Sequence, residues 1–215
     1  MMLMTPPGVY APQHDTWLLT EALDRENITE GTVVLDIGTG SGALAIAAAR
    51  SGAGQVTAVD ISPLAVATVW LRSRLEGLRI HVMRGDLLTS VADRRFDLIV
   101  ANPPYVPSPA ARRGRAVAWN AGVDGRALLD QICRDAPPLL RPGGVLLLVH
   151  SALCGVEETV ERLGRAGLRA AVTGRRLIPF GPVLREQAAW LEARGLIEPG
   201  GEKEELVVIR AERAW

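Results

Sequence analysis

Asn102-Pro103-Pro104-Tyr105 is the stretch whose residue types most narrowly limit the chemistry they can perform. A strand-like run ends there in an amide, and the two prolines that follow fix an extended backbone path. Two acceptors are thereby held side by side, the Asn102 side-chain oxygen and the Pro103 carbonyl. They can hold both N–H groups of a flat amide or aromatic amine and aim its delocalised, poorly nucleophilic lone pair at an electrophilic carbon. The same acceptors stabilise the positive charge that grows on that nitrogen, and Tyr105 can pack against the planar group. Taken alone, the tetrapeptide reads equally well as a stiff turn.

A second constellation precedes it. Asp36-Ile-Gly-Thr-Gly-Ser-Gly42 stands where a buried strand meets a helix, so Gly38, Gly40 and Gly42 can bring bare backbone against a ligand. The spacing Gly-x-Gly-x-Gly departs from the Gly-x-Gly-x-x-Gly of dinucleotide sites, and a carboxylate just before the glycines suits a cationic ligand better than a phosphate. Asp60 ends the next strand, where it can accept both hydroxyl protons of a ribose. Asp86 follows the third strand and can accept from an adenine amino group, with Ile61 and Leu87 flanking the ring. Any one of these aspartates reads as a turn residue or a cap; three at successive strand ends, the first leading into a glycine turn, point to a nucleoside.

Short β-branched runs alternating with helical patterns imply a parallel sheet with crossover helices. Strands are expected at 32–36, 56–60, 80–83, 97–101, 145–149, 169–177 and 206–210. Helices are expected at 15–26, 43–50, 63–75, 127–139, 156–165 and 184–194, with Pro63 suited to a first helical turn. The first helix is expected to bury Trp17, Leu18, Ala22 and Leu19, and Arg141 to Gly144 to form a turn. The segment from Asn102 to Asp124 is a long loop, which in a compact domain usually serves function. If the helix at 184–194 joins an inward sixth strand to an antiparallel seventh, it lies at the carboxyl edge and can form a substrate wall.

The 215 residues suit one domain, 1–215, with 1–14 as a lid-like segment. Lys plus Arg equals Asp plus Glu at 24 each, so no positive field concentrates nucleic acid, and nucleic acid is not favoured as a partner. Cys133 and Cys154 lack metal-ligand spacing and read as small buried hydrophobes; no metal is expected. Met1 to Met4 lacks the features of a signal peptide, and no run is long enough to span a bilayer, so no membrane association is expected and the cytoplasm is the expected location.

With these residues in hand, the chain resembles class I methyltransferases that use S-adenosyl-L-methionine, and more narrowly the HemK-like protein-(glutamine-N5) methyltransferases. The likeness runs from about Val9 to Arg210. It rests on Val9-Tyr-Ala-Pro-Gln-His-Asp-Thr16, Asp36 to Gly42, Asp60, Gly85-Asp86-Leu87, Asn102 to Tyr105, and Gly122-Val-Asp-Gly125. The resemblance implies a Rossmann-like α/β fold of seven strands with helices on both faces, the last strand antiparallel and inserted between the fifth and sixth. It also implies that Thr16 meets the methionine part of S-adenosylmethionine, Asp36 and the glycines its amino acid and backbone, Asp60 the ribose and Asp86 the adenine, while Asn102 and Pro103 hold the substrate amide; the product cofactor would be S-adenosyl-L-homocysteine.

The substrate so implied is the glutamine of a Gly-Gly-Gln loop in a peptide-chain release factor. The opening is similar to the short branch of the family, without an N-terminal helical domain, whose members often work with a small zinc-binding activator subunit. Methylation of adenine N6 in nucleic acid, or of a small molecule, are the competing expectations, because Asn-Pro-Pro-Tyr also serves exocyclic adenine nitrogens. Arg112, Arg113 and Arg115 read as a solvated loop, Trp119 and Asn120 as a gate or an anchor, and His14 as an exposed loop residue.

Overall fold

The computed structural model describes residues 5–109 and 121–215. Seven strands, β1 (Val33–Ile37), β2 (Gln55–Asp60), β3 (Ile80–Arg84), β4 (Phe96–Ala101), β5 (Leu140–Ser151), β6 (Leu168–Pro179) and β7 (Lys203–Arg213), form one sheet in the order β3-β2-β1-β4-β5-β7-β6. β1 to β5 pair in parallel, and β7 runs antiparallel to both β5 and β6. This is the Rossmann-like arrangement expected, with the last strand inserted before the sixth.

Consecutive residues of the central strands are fully buried, Leu146 to Val149 in β5 and Leu206 to Ile209 in β7. Burial without alternation requires cover on both faces of the sheet. The helices α1 (His14–Leu23), α2 (Ala43–Arg50), α3 (Pro63–Leu75), α4 (Ala127–Asp135), α5 (Val156–Arg165) and α6 (Pro182–Ala193) supply most of it. α1 packs on β5 and β6 and touches α2, whereas α4 packs on α5 and α5 on β6 and β7. α3 starts as its sequence predicts, with Pro63 in the first turn and the Ser62 hydroxyl accepting from the Ala65 N–H at 3.3 Å.

Four local expectations are corrected. Arg141 to Gly144 lies within β5, where the pairing with β4 shifts register between Phe96–Leu140 and Leu98–Val145, so the expected turn is a bulge-like excursion. α4 ends at Asp135, because Pro137 and Pro138 cannot continue its hydrogen bonding, and a short 3-10 turn replaces its expected last turn. Trp17 is half exposed and stands edge-on to His14 at 5.1 Å, while Leu23 takes its place in the core. On α6, the helical stripe Leu184, Ala188 and Leu191 that its sequence suggests is altered: Leu184 and Leu191 are buried, but Gln187 is buried beside them and Ala188 only partly.

Candidate active site

Strand register gathers the candidate residues at one edge. Ile37 pairs with Val59 on one side and Ala101 on the other, so Gly38, Asp60 and Asn102 leave the sheet at the same level. Asp60 in turn pairs with Arg84, which places Gly85-Asp86-Leu87 at the end of the next strand. A parallel sheet thus brings four segments distant in sequence to its carboxyl edge, where the strand order reverses between β1 and β4.

The glycine turn is held from both sides. The Asp36 Oδ2 accepts from the Thr39 hydroxyl at 2.6 Å and from the Ala45 N–H at 3.0 Å, fixing the turn to the start of α2. Asp60 accepts from the Gly40 N–H at 2.8 Å through Oδ2 and from the Ser62 N–H at 2.8 Å through Oδ1, tying the turn to the β2–α3 connection. Each carboxylate oxygen of Asp60 keeps a further acceptor site, so a vicinal diol can still be bound. Gly38 has φ +65, and a Cβ there would meet nothing within 4 Å, which leaves open space above bare backbone.

Asp36 Oδ1 is buried and, among the described residues, has no hydrogen-bond partner. Burial raises the Asp36 carboxyl to about 7, against the lowering effect of Thr39 and Ala45 and with a smaller upward contribution from Asp60. A buried acceptor without a donor is costly, and a cationic ligand group placed over Gly38 relieves it. The neighbouring features fit a nucleoside carried on the same molecule. Ile61 is 57% exposed next to Asp60, and Leu87 holds φ 45, a left-handed conformation that costs a leucine about 1 kcal/mol. Asp86 is exposed. The residues present therefore fit S-adenosylmethionine: an acceptor and open backbone for its charged amino acid, a carboxylate for the ribose, and apolar side chains for the ring.

Asn102 is half-buried and gives an Nδ2 proton to the Thr16 hydroxyl at 3.2 Å, which leaves Oδ1 as the acceptor available to a substrate. Pro103 and Tyr105 are buried and Pro104 half-buried, so the tetrapeptide forms a supported floor. Its support is specific. The Cys154 thiol donates to the Tyr105 carbonyl at 2.8 Å, and Gly125, at φ +75, lies so close that a Cβ would collide with the same carbonyl. Cys154 is buried as expected and also hydrogen-bonded. Arg126, 4% exposed, follows and binds the carbonyls of Cys154 and Gly155, the Thr159 hydroxyl and Asp130, bracing the wall behind the tetrapeptide.

Thr16 stands beside Asn102, and Asp15, which orders it, enters the sequence reading only as one member of the stretch Val9 to Thr16. Asp15, 4% exposed, accepts the Tyr10 hydroxyl at 2.5 Å and the Tyr105 hydroxyl at 3.0 Å through Oδ2, and the Thr16 N–H at 2.5 Å and hydroxyl at 3.2 Å through Oδ1. Burial, reinforced by Asp15, pushes both tyrosine hydroxyls above their ordinary range, so they remain donors. Glu204, at the start of β7, is buried nearby and raised to about 7, chiefly by burial and further by Asp15. The residue types of Tyr10 to Thr16 carry no hint of these hydrogen bonds, which span up to 90 positions.

Two further features flank the site. α6 leaves β6 at the carboxyl edge, and its Leu184 and Leu191 cluster with Phe180, Leu153 and Val106, the residue after Tyr105. Arg112, Arg113, Arg115, Trp119 and Asn120 lie outside the described residues. Among the described residues no group of His, Cys, Asp and Glu is arranged to hold a metal, and no helix is long and apolar enough to cross a membrane. A cavity of about 770 Å³ among Gln55, Ser73, Arg79 and Arg94 sits at the opposite ends of β2 and β3 and shares no residue with this site.

Comparison with known proteins gives consistent matches. The family model described as the methyltransferase small domain matches residues 1–170. A protein of Methanocaldococcus jannaschii, provisionally assigned as a protein N5-glutamine methyltransferase, is 35% identical over 178 residues, covering 81% of this chain and 88% of its own length. A release factor glutamine methyltransferase of Geobacter sulfurreducens is 37% identical over 75% of this chain, which spans only 59% of that longer relative. Among solved structures, a complex from E. cuniculi responsible for the methylation of the eRF1 translation termination factor aligns with TM-score 0.68 and 24% identity, covering 96% of this chain and 99% of the other.

Proposed function

Because the chain belongs to the methyltransferase small domain family, we propose that it transfers a methyl group from S-adenosylmethionine to the side-chain amide nitrogen of a glutamine in a protein, with a peptide-chain release factor as the substrate. The observation that carries this reading is the hydrogen bond of Asn102: with Nδ2 given to Thr16, the Oδ1 acceptor is left for a substrate that presents N–H groups. Pro103 offers a second acceptor from the backbone, and together they hold a planar NH2 in one orientation.

S-adenosylmethionine, when bound, supplies a methyl group on a sulfonium that is already a good leaving group. Asn102 and Pro103 place the amide nitrogen and stabilise the positive charge that develops on it, interactions that strengthen as the reaction proceeds. Tyr105, anchored by Asp15 and Cys154, keeps the floor still and packs against the flat substrate group. Asp36 and Gly38 take the amino-acid end of the cofactor, Asp60 the ribose, and Asp86 with Ile61 and Leu87 the adenine. α6, packed against Val106, forms one wall of the substrate entrance.

A small zinc-binding activator subunit is proposed as a partner and the cytoplasm as the place of action, both following from the release-factor reading. The test is to incubate the chain with S-adenosylmethionine and release factor, with and without such a subunit, and to follow the Gly-Gly-Gln peptide by mass spectrometry. Gain of one methyl group on the glutamine is expected. Methyl transfer to labelled DNA or RNA in its place would move the assignment to adenine.

A further inference from the structure

α6 carries one residue that packing does not explain. Its Leu184 and Leu191 join Phe180 in an apolar cluster separate from the main core. Val106, the residue that follows Asn102-Pro103-Pro104-Tyr105, packs against both this cluster and the main core. Gln187 lies between the two leucines on the same helix face and is only 6% exposed. Its Oε1 is buried and, among the described residues, has no hydrogen-bond partner. An unpaired buried acceptor opposes folding, and a methionine at this position would sit beside Leu184 and Leu191 without that cost. The amide is therefore placed for a donor that another molecule brings.

We infer that Gln187 is a specificity-determining residue of the substrate wall, whose Oε1 accepts a backbone N–H of the peptide that carries the methylated glutamine. The inference rests on the proposed function and deepens it, by naming how the residues beside the target are recognised. In a Gly-Gly-Gln loop the two residues before the target have no side chains, so their polar groups are the backbone N–H and C=O alone. A primary amide is complementary to such groups. Its apolar surroundings make the pairing selective, because a peptide that cannot supply the N–H leaves the acceptor stranded. α6 leaves β6 at the carboxyl edge, and its buried face meets Val106 next to the floor that holds the target amide. Asn102 and Pro103 thus read the substrate side chain, and Gln187 reads the backbone beside it.

Gln187→Met keeps the length of the side chain and removes both polar ends. KM for release factor should rise about tenfold, while kcat at saturating release factor and the calorimetric Kd for S-adenosylmethionine each stay within about twofold. The melting temperature should hold or rise. An amide that served only the fold would give the reverse, a lower Tm with KM unchanged. Gly-Gly-Gln peptides with N-methylglycine in place of each glycine in turn identify the donor: one of them should cost the wild type about tenfold in kcat/KM and the methionine variant less than about twofold. Unchanged KM in Gln187→Met, a fall in its Tm or its failure to fold would overturn the inference, as would equal sensitivity of both enzymes to both peptides. Release factor left unmethylated by the wild type takes away the proposed function and the inference together, whereas methylation by Gln187→Met with the KM of the wild type removes the inference alone.

Discussion

Asp36 carries two tasks that pull its carboxyl in opposite directions. One oxygen is saturated by Thr39 and Ala45, and the other is buried without a donor among the described residues, so burial holds the group near 7 in the ligand-free protein. A cationic ligand favours the ionised form. Its affinity should therefore rise with pH up to about 7 and level off above it, weakening by up to about tenfold per unit as the pH falls below that value. Calorimetric titration of S-adenosylmethionine between pH 5.5 and about 8.5 checks this, and Asp36→Asn should flatten the profile. Gly38 makes a separate demand on the same ligand. Gly38→Ala adds a methyl group into the open space above the turn and strains φ +65, so cofactor affinity should fall more than about tenfold while thermal stability drops by only about 1 kcal/mol. Equal losses in binding and stability would show that the open space serves the fold and not the ligand.

Elements fix where these residues stand, and the clearest case is the turn before α4. Gly125 brings its backbone against the Tyr105 carbonyl where no side chain fits, and Arg126 immediately after it clamps the β5–α5 connection. Gly125→Ala should destabilise the protein by about 3 kcal/mol in denaturant titration and lower turnover by displacing Tyr105, whereas the same change at exposed Gly164 should do neither. Much of this scaffold is legible in the sequence. The bounds of α2, α3 and α5 follow from glycine at position 42, the Ser62-Pro63 start, and the acidic first turn of α5, all local signals. The Arg141–Gly144 excursion and the early end of α4 are not, because the first depends on pairing with β4 and the second on a proline pair competing with an apolar helical pattern. At the site, the segments that leave strand ends can be read from spacing, since a parallel sheet aligns such ends. Asp15, Tyr10 and Glu204 cannot, because their meaning lies in contacts between the first helix, the fourth strand's exit and the seventh strand.

Across the whole molecule, the buried groups Asp36, Glu204 and His150 set opposing pH responses. Asp36 and Glu204 are raised to about 7, so the stability they contribute is fully present below their ordinary values, near 4, and is lost as the pH rises through 7. His150 is lowered to about 4 by burial, with Arg126 adding to the effect and the Ser151 carbonyl opposing it; its contribution is present above its ordinary value of 6.5 and lost as the pH falls toward 4. Between pH 8 and about 6.5 the two carboxyls dominate, so the ligand-free protein should gain about 1 kcal/mol per unit on acidification. Below that, His150 opposes them and keeps the gain from steepening. Thermal melts of the wild type and of the Asp36→Asn, Glu204→Gln double variant check the slope, which should vanish in the variant over that range.

The insertion of β7 between β5 and β6 has a consequence for how the molecule comes into being on the ribosome. When residues through Pro179 have emerged, β6 lacks the neighbour it needs, since its partner in the sheet, among the described residues, is the strand still to be translated. The nascent chain must keep a long, arginine-bearing edge out of unproductive associations until Lys203–Arg213 arrives. That late segment also delivers Glu204 to the neighbourhood of Asp15, so the strand that closes this sheet also completes the surroundings of the Asn102–Tyr105 floor in one step.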